Sequence, residues 1–340
     1  MPLTINTPLD MHLHLRDEAM LHNIAKASSD TFSGAIIMPN LVPPVSSKEA
    51  LIAYKQRILL ATNDNSFTPY MTLFFKPSYD KIFLASIKDE ITAIKLYPAG
   101  ITTNSEEGVS GFDIEALRPA LEAMSDLEIP LCVHGETNGF VMDREAEFAS
   151  IYEDLASAFP NLKIIMEHIT TKSSVDLLDK YPNLYATITI HHLLITLDDV
   201  AGGMLQPHLF CKPIAKRPED RDALRKVALS AHPKVMFGSD SAPHPKEAKE
   251  ACGCAAGVFT APIALQLLAE LFDTQDASQE NLQAFISGNA QAIYGIAPTD
   301  KVITLEKTPF KVPSDYNGVV PMYANEEIAY SIKEIQTSQS

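Results

Sequence analysis

"LDMHLHLRD", residues 9–17, sets His12, His14 and Arg16 two positions apart inside an otherwise apolar run. Side chains at i, i+2 and i+4 of a β-strand share one face, so a strand over 9–15 predicts two imidazoles and a guanidinium converging on a common point. The alternate positions Leu13 and Leu15 are apolar, which argues against a solvent-facing strand and for one buried in a parallel sheet. Seven more short apolar runs, many β-branched, follow at 34–39, 69–75, 93–97, 130–135, 163–168, 184–189 and 234–239. Between them lie segments in which apolar residues recur every three or four positions, such as 112–127 and 143–159.

Eight strands, each followed by a helix or a long excursion, predict an α/β fold: a (β/α)8 TIM barrel. A doubly wound open sheet is the alternative, but the Gly-rich turn expected after its first strand is missing. Helices are expected after the eighth strand at 255–272 and 278–294, then a less regular tail with three prolines from about 301 to 340. The expected division is a barrel over 1–300 with an appendage over 301–340 packed on it.

Bulk composition narrows the function. With 46% hydrophobic and 21% charged residues, a chain of 340 can bury the core of one such barrel. Acidic residues outnumber basic ones 43 to 27, and a net charge of -16 repels nucleic acid and anionic lipid. Four irregularly spaced cysteines are too few for a disulfide scaffold and read as reduced thiols. No basic segment leads into an apolar stretch at the start, and no run approaches the roughly 20 apolar residues of a membrane span, so a soluble cytoplasmic protein is expected.

Polar residues interrupt the expected strands at or just past their C-terminal ends: His12, His14 and Arg16, then Asn40, Lys95, His134, His168 and Asp240. In a barrel those ends form the catalytic face. Taken singly, most have a plain explanation: a lone histidine is usually a hydrogen-bonded core residue, and Asp240 can cap a turn. Lys95 is harder to explain, because lysine is rarely buried unpaired. Together, four imidazoles, a carboxylate and a lysine offer nitrogen and oxygen donors suited to zinc, and six candidates over-supply one ion and fit two. An ammonium cannot bridge two cations, and residue chemistry alone stops there.

The motifs "DMHLHLRD", "MPNLVPP", "IKLYPAGITTNS", "VHGE", "MEHITT", "CKPIAKR", "GSDSAPH" and "CGCAAGVF" occur in this order between about residue 9 and residue 290. In them the chain resembles the dihydroorotases of the shorter bacterial type, within the amidohydrolase superfamily. That resemblance implies a carboxylated Lys95 whose carbamate bridges two zinc ions (Zn2+) per chain. By it, His12, His14 and Asp240 hold one ion with Lys95, His134 and His168 hold the other, and a hydroxide bridges the pair. The reaction implied is the reversible cyclisation of N-carbamoyl-L-aspartate to L-dihydroorotate in pyrimidine biosynthesis, with Asp240 as general base, then acid.

By the same resemblance, Arg16, Asn40 and His244 grip the substrate carboxylate, a task that suits a planar guanidinium. Thr102 and Thr103 belong to a lid over 98–111, and backbone groups at Lys212 and Ala255 meet the pyrimidine ring. A homodimer is implied, and neither nucleic acid nor a membrane is expected as a partner. Two residues depart from the family pattern: Ile101 in the lid and Ile190 before the His191–His192 pair. Those two histidines read as structural or as outer partners of the ligand set, and Cys252 and Cys254 as structural. Hydantoinases and allantoinase share the metal pair, but Arg16, Asn40 and His244 favour a substrate with a carboxylate. An inactive barrel serving as an assembly partner is the remaining alternative, and the complete ligand set argues against it.

Overall fold

The computed structural model describes residues 2–337. A short strand, β1 (Leu3–Asn6), precedes eight parallel strands that lie side by side in chain order: β2 (Leu9–Leu13), β3 (Gly34–Ile37), β4 (Thr68–Phe74), β5 (Ala93–Leu96), β6 (Leu131–Val133), β7 (Ile164–Met166), β8 (Leu184–Ile188) and β9 (Val235–Phe237). These are the eight strands the sequence predicts, most ending a residue or two earlier. The barrel closes where the Asp240 N–H donates to the His12 carbonyl at 2.8 Å and the His14 N–H to the Ser241 carbonyl at 3.2 Å. Gly238 sits at this seam, where a Cβ would come within 2.9 Å of the His12 Cβ and 3.0 Å of the Thr187 Cβ.

Strand alternation divides the core in two. Leu9, Met11, Ile36, Met38, Ala93, Cys132, Ile165 and Met236 fill the barrel floor, sealed by Ala290 and Ile293 from the helix Asn289–Tyr294. Residues of the other parity, such as Ile37, Leu96, Val133 and Phe237, pack outward against the helices. Each such burial contributes about 1.5–3 kcal/mol. One step above the floor on the inward parity come Lys95, His134 and Glu167, so the site rests directly on packed apolar side chains.

The helices expected over 112–127 and 143–159 are Ile114–Asp126, with the Asp113 carboxylate capping its N-terminus, and Arg144–Ala158. The helix expected from 255 begins only at Ala264, after a 3-10 turn over Ala261–Ile263. The residues ahead of it form a loop that lines the cleft described below.

The tail is not irregular. It forms β10 (Lys301–Glu306), β11 (Phe310–Lys311), β12 (Glu327–Ile328) and β13 (Ser331–Thr337). In a three-stranded antiparallel sheet, β10 pairs with β1 on one side and β13 on the other, Ile303 facing Ile5 and Ile335. Residues 3–6 thus pair with the C-terminal strand β10 and not with a barrel strand. Lys301 fastens this sheet: the buried ammonium donates to the Ser29 carbonyl, to the Phe32 carbonyl at 3.0 Å and to Asp64 at 3.1 Å. Among the described residues no helix is long and apolar enough to cross a membrane.

Candidate metal centre and substrate cleft

Local backbone irregularity aims the site residues. Asp10 pairs with Ala35 but Leu13 with Ile37, so β2 advances three residues while β3 advances two. Such a bulge re-aims side chains. The Asp10 carboxylate takes the backbone bonds the bulge releases, accepting the His12 N–H at 3.2 Å and the Ser239 N–H at 2.7 Å. Past the strand end Arg16 is left-handed, φ 56°, as are His168 at 40° and Asp240 at 43°. A non-glycine residue held there costs about 1–3 kcal/mol, offset by surrounding bonds such as that from the His168 N–H to the Thr187 hydroxyl at 2.7 Å. His12, His14 and Arg16 thus converge through a bulge and a left-handed turn, not through the uninterrupted strand expected over 9–15.

Two groups of donors face each other. In one, Asp240 Oδ1 lies 3.5 Å from His12 Nε2 and 3.1 Å from His14 Nε2. In the other, His134 Nδ1 lies 3.2 Å from His168 Nε2. The rings of His12 and His168, 4.8 Å apart, join the two groups. Lys95 stands among them, 0% exposed, with its Nζ lacking any hydrogen-bond partner and lying 5.1 Å from the Tyr97 ring centroid. Burial lowers the pKa of Lys95 and of His12, and takes His14 and His168 well below the usual histidine range. Burial also raises Asp240. Neutral imidazoles with converging lone pairs, a carboxylate and a partnerless buried amine fit a cation site, because buried polar groups in folded proteins otherwise find partners.

Outer partners set the ring tautomers. Glu167 Oε2 accepts the His12 Nδ1–H at 2.7 Å and the Thr187 hydroxyl at 2.6 Å, leaving His12 Nε2 free to ligate. Burial alone would raise Glu167, but its hydrogen bonds with His12 and Thr187 work against burial and favour the carboxylate. Glu136 does the same for His134, accepting its Nε2–H at 2.8 Å.

Beside these donors, His14, Arg16, Asn40, Thr102, Thr103, Lys212, Asp240 and Ala256 line a small cavity. It adjoins an open cleft of about 570 Å³ bounded by Thr102, Thr103, Phe210, Lys212, Cys254 and Ala256 among others. Arg16 is oriented by its Nε–H to the Pro243 carbonyl at 3.0 Å, with a terminal nitrogen 2.9 Å from His244 Nε2. Loop 98–111 is pinned over the cavity. Asn40 donates to the Thr103 carbonyl at 2.9 Å, Asn104 to the Asn40 carbonyl at 3.1 Å, and Lys212 Nζ to the Ile101 carbonyl at 2.9 Å. Ile101 itself is buried.

Ala255, expected to meet the ring through its backbone, has its backbone groups bonded within the protein. Ala255 donates its N–H to Ala248 at 3.0 Å and accepts Lys249 Nζ at 2.7 Å, while Cys254 and Ala256 line the cleft. Lys249, buried, also donates to the carbonyls of Phe210 at 3.0 Å and Gly257 at 2.7 Å, and so shapes this wall. Glu136, Glu167 and Lys249 do not stand out in the sequence. The period-two step from inward Ile165 points to Glu167, whereas Lys249 sits in the charged run "KEAKE" and carries no signal.

A parallel barrel with nitrogen and oxygen donors gathered at the C-terminal ends of its strands is the architecture of amidohydrolases, and residues 85–296 match the amidohydrolase family model. A dihydroorotase of Helicobacter hepaticus is 45% identical over 338 residues, 98% of each chain. The crystal structure of dihydroorotase from Campylobacter jejuni superposes with a TM-score of 0.94 at 61% identity, covering 98% of both chains. That of Saccharomyces cerevisiae dihydroorotase, solved with 5-fluoroorotic acid, gives 0.90 at 32% identity over 97% of this chain and 98% of the other. The chain belongs to the dihydroorotase family.

Proposed function

We propose that this chain catalyses the reversible ring closure of N-carbamoyl-L-aspartate to L-dihydroorotate, the dihydroorotase step of pyrimidine biosynthesis, with two zinc ions. The observation that carries the metal pair is Lys95: an amine fully buried between two groups of imidazoles, with nothing to bond. Addition of carbon dioxide to the neutral amine, with loss of one proton, would turn this lysine into a carbamate, an anion able to ligate where the ammonium cannot. His12, His14 and Asp240 would then hold one ion and His134 and His168 the other. When bound, the ions polarise the ring amide carbonyl and make the attacking water acidic.

The chain's own groups supply the rest. In ring opening Asp240 takes the proton of the attacking water and passes it to the ring nitrogen as the C–N bond breaks; in closure it travels back. Arg16 supplies the positive charge for the substrate carboxylate. His244, driven down to about 3 by burial and by Arg16, stays neutral beside it. Asn40 and the hydroxyls of Thr102 and Thr103 close the cavity over the bound ring, and the backbone at Lys212 and Ala256 borders it. Hydantoins lack the carboxylate that Arg16 would grip, which favours dihydroorotate among cyclic amides. All four cysteines are free, which supports a reducing compartment such as the cytosol. A homodimer rests on the family resemblance.

Lys95→Ala tests the proposal. The variant is expected to lose metal and nearly all dihydroorotate hydrolysis while keeping its fold by circular dichroism. Wild-type turnover in that variant would refute the bridging carbamate.

A further inference from the structure

Among the described residues one other group of soft donors lies as close together as the first. His191 and His192, on the short helix Ile190–Leu194 after β8, and Cys211 bring their ligating atoms within 4.8 Å of one another, all buried. The plain explanation, a pair of structural histidines, accounts for one of them. His192 Nδ1 lies 2.9 Å from the Thr189 hydroxyl and Nε2 3.0 Å from the Pro213 carbonyl. His191 is different: it is 0% exposed, neither ring nitrogen has a partner, and its ring centroid lies 4.3 Å from that of His192. Leaving one buried polar atom unsatisfied costs about 1–3 kcal/mol, so an apolar side chain of that size would be the better filler unless the ring bonds something.

Donor spacing shows what it can bond. In a tetrahedral zinc site, with bonds of about 2.0 Å to nitrogen and 2.3 Å to sulfur, neighbouring donors sit about 3.5 Å apart. His192 Nε2 and Cys211 Sγ are already 3.4 Å apart. The Pro213 carbonyl oxygen, 3.0 Å from that nitrogen and 3.2 Å from that sulfur, stands as a fourth corner. The second nitrogen of His192 holds the Thr189 hydroxyl, the kind of outer bond that orients a ligating imidazole.

We propose that His191, His192 and Cys211 form a second metal site, distinct from the catalytic centre, for a divalent cation of the zinc type, with the Pro213 carbonyl as fourth donor. Binding releases one proton, from the Cys211 thiol, while His192 moves its own from Nε2 to Nδ1. The donors are chemically unlike those of the catalytic centre, which include no sulfur. The site also bears on the cleft, since Cys211 and Pro213 flank Lys212, whose ammonium holds the Ile101 carbonyl of the loop over the cavity. A cation there stiffens that wall.

Cobalt(II) separates the two sites, because only a thiolate ligand gives a near-ultraviolet sulfur-to-cobalt charge-transfer band. Full-length protein loaded with cobalt is expected to show this band at one thiolate per chain, and to bind one cation more than Cys211→Ser. The band should vanish in Cys211→Ser and in His191→Gln, and persist in a Cys252→Ser/Cys254→Ser double variant. It should also persist in Lys95→Ala, so failure of the catalytic reading leaves this test intact. If Cys211→Ser does not fold, His191→Gln decides. Absence of the band, its survival in His191→Gln, or its loss only with the Cys252/Cys254 pair overturns the proposal.

Discussion

Glu167 touches no part of the cleft, yet metal retention should depend on it. Its Oε2 accepts the His12 Nδ1–H at 2.7 Å and the Thr187 hydroxyl at 2.6 Å, both inside the barrel. Glu167→Gln keeps the shape and one acceptor but removes the charge. A hydrogen bond to an ionised group is worth about 1.5–3 kcal/mol against about 1 for a neutral pair, so the loss is about 0.5–2 kcal/mol, a factor of roughly 2–30. Glu167→Ala also leaves the His12 N–H unpaired and reaches the roughly 10–100-fold seen when such outer partners are removed. Metal retained after dialysis against graded chelator, read beside dihydroorotate hydrolysis, measures the effect. Retention and kcat should fall together in the order wild type, Gln, Ala, with KM unchanged. Both variants retaining wild-type metal and rate would refute the idea that Glu167 orients His12 for a cation.

Arg16→Ala removes the charge that meets the substrate carboxylate and should raise KM about 10- to 100-fold, the worth of a charge-assisted pair, with kcat changed less; an unchanged KM in steady-state assays contradicts the clamp. Lys249→Met takes a donor from three carbonyls of the cleft wall and should raise KM and lower the melting temperature together, so a fall in stability with KM intact would show Lys249 to be structural only. His244 has a folded pKa of about 3, below its unfolded 6.5, so its contribution to stability is present above pH 6.5 and is lost as pH falls from about 6.5 toward 3. His244→Asn should therefore narrow the gap between neutral and acid melting temperatures, and parallel curves for the two proteins would count against a buried neutral imidazole.

The barrel was legible because strands of a parallel barrel are buried on both faces and stand out as apolar runs between amphipathic helices. The six candidate ligands were legible because they are the polar residues that end those runs. How the backbone presents them was not. Nothing in "HLRD", "MEHI" or "GSDS" announces the left-handed turns at Arg16, His168 and Asp240, as a glycine would have. Glu167 was readable in principle from the parity of Ile165, but lay in the shadow of its neighbour His168. Lys249 is indistinguishable from a solvated charge until the Phe210, Ala255 and Gly257 carbonyls are brought around it. In the tail, "KVITLE" carries the alternation of β10, whereas its pairing with β1 joins opposite ends of the chain and leaves no local trace.

On the proposed function, two groups of imidazoles about a buried lysine hold a metal pair that opens and closes the dihydroorotate ring. Hydrolysis of dihydroorotate by the purified protein, followed in the ultraviolet with zinc measured on the same sample, tests it most directly. Turnover that scales with zinc content and saturates at the pair held by His12, His14, Lys95, His134, His168 and Asp240 is the predicted result. A fully metal-loaded protein that leaves dihydroorotate and N-carbamoyl-L-aspartate unchanged would contradict it.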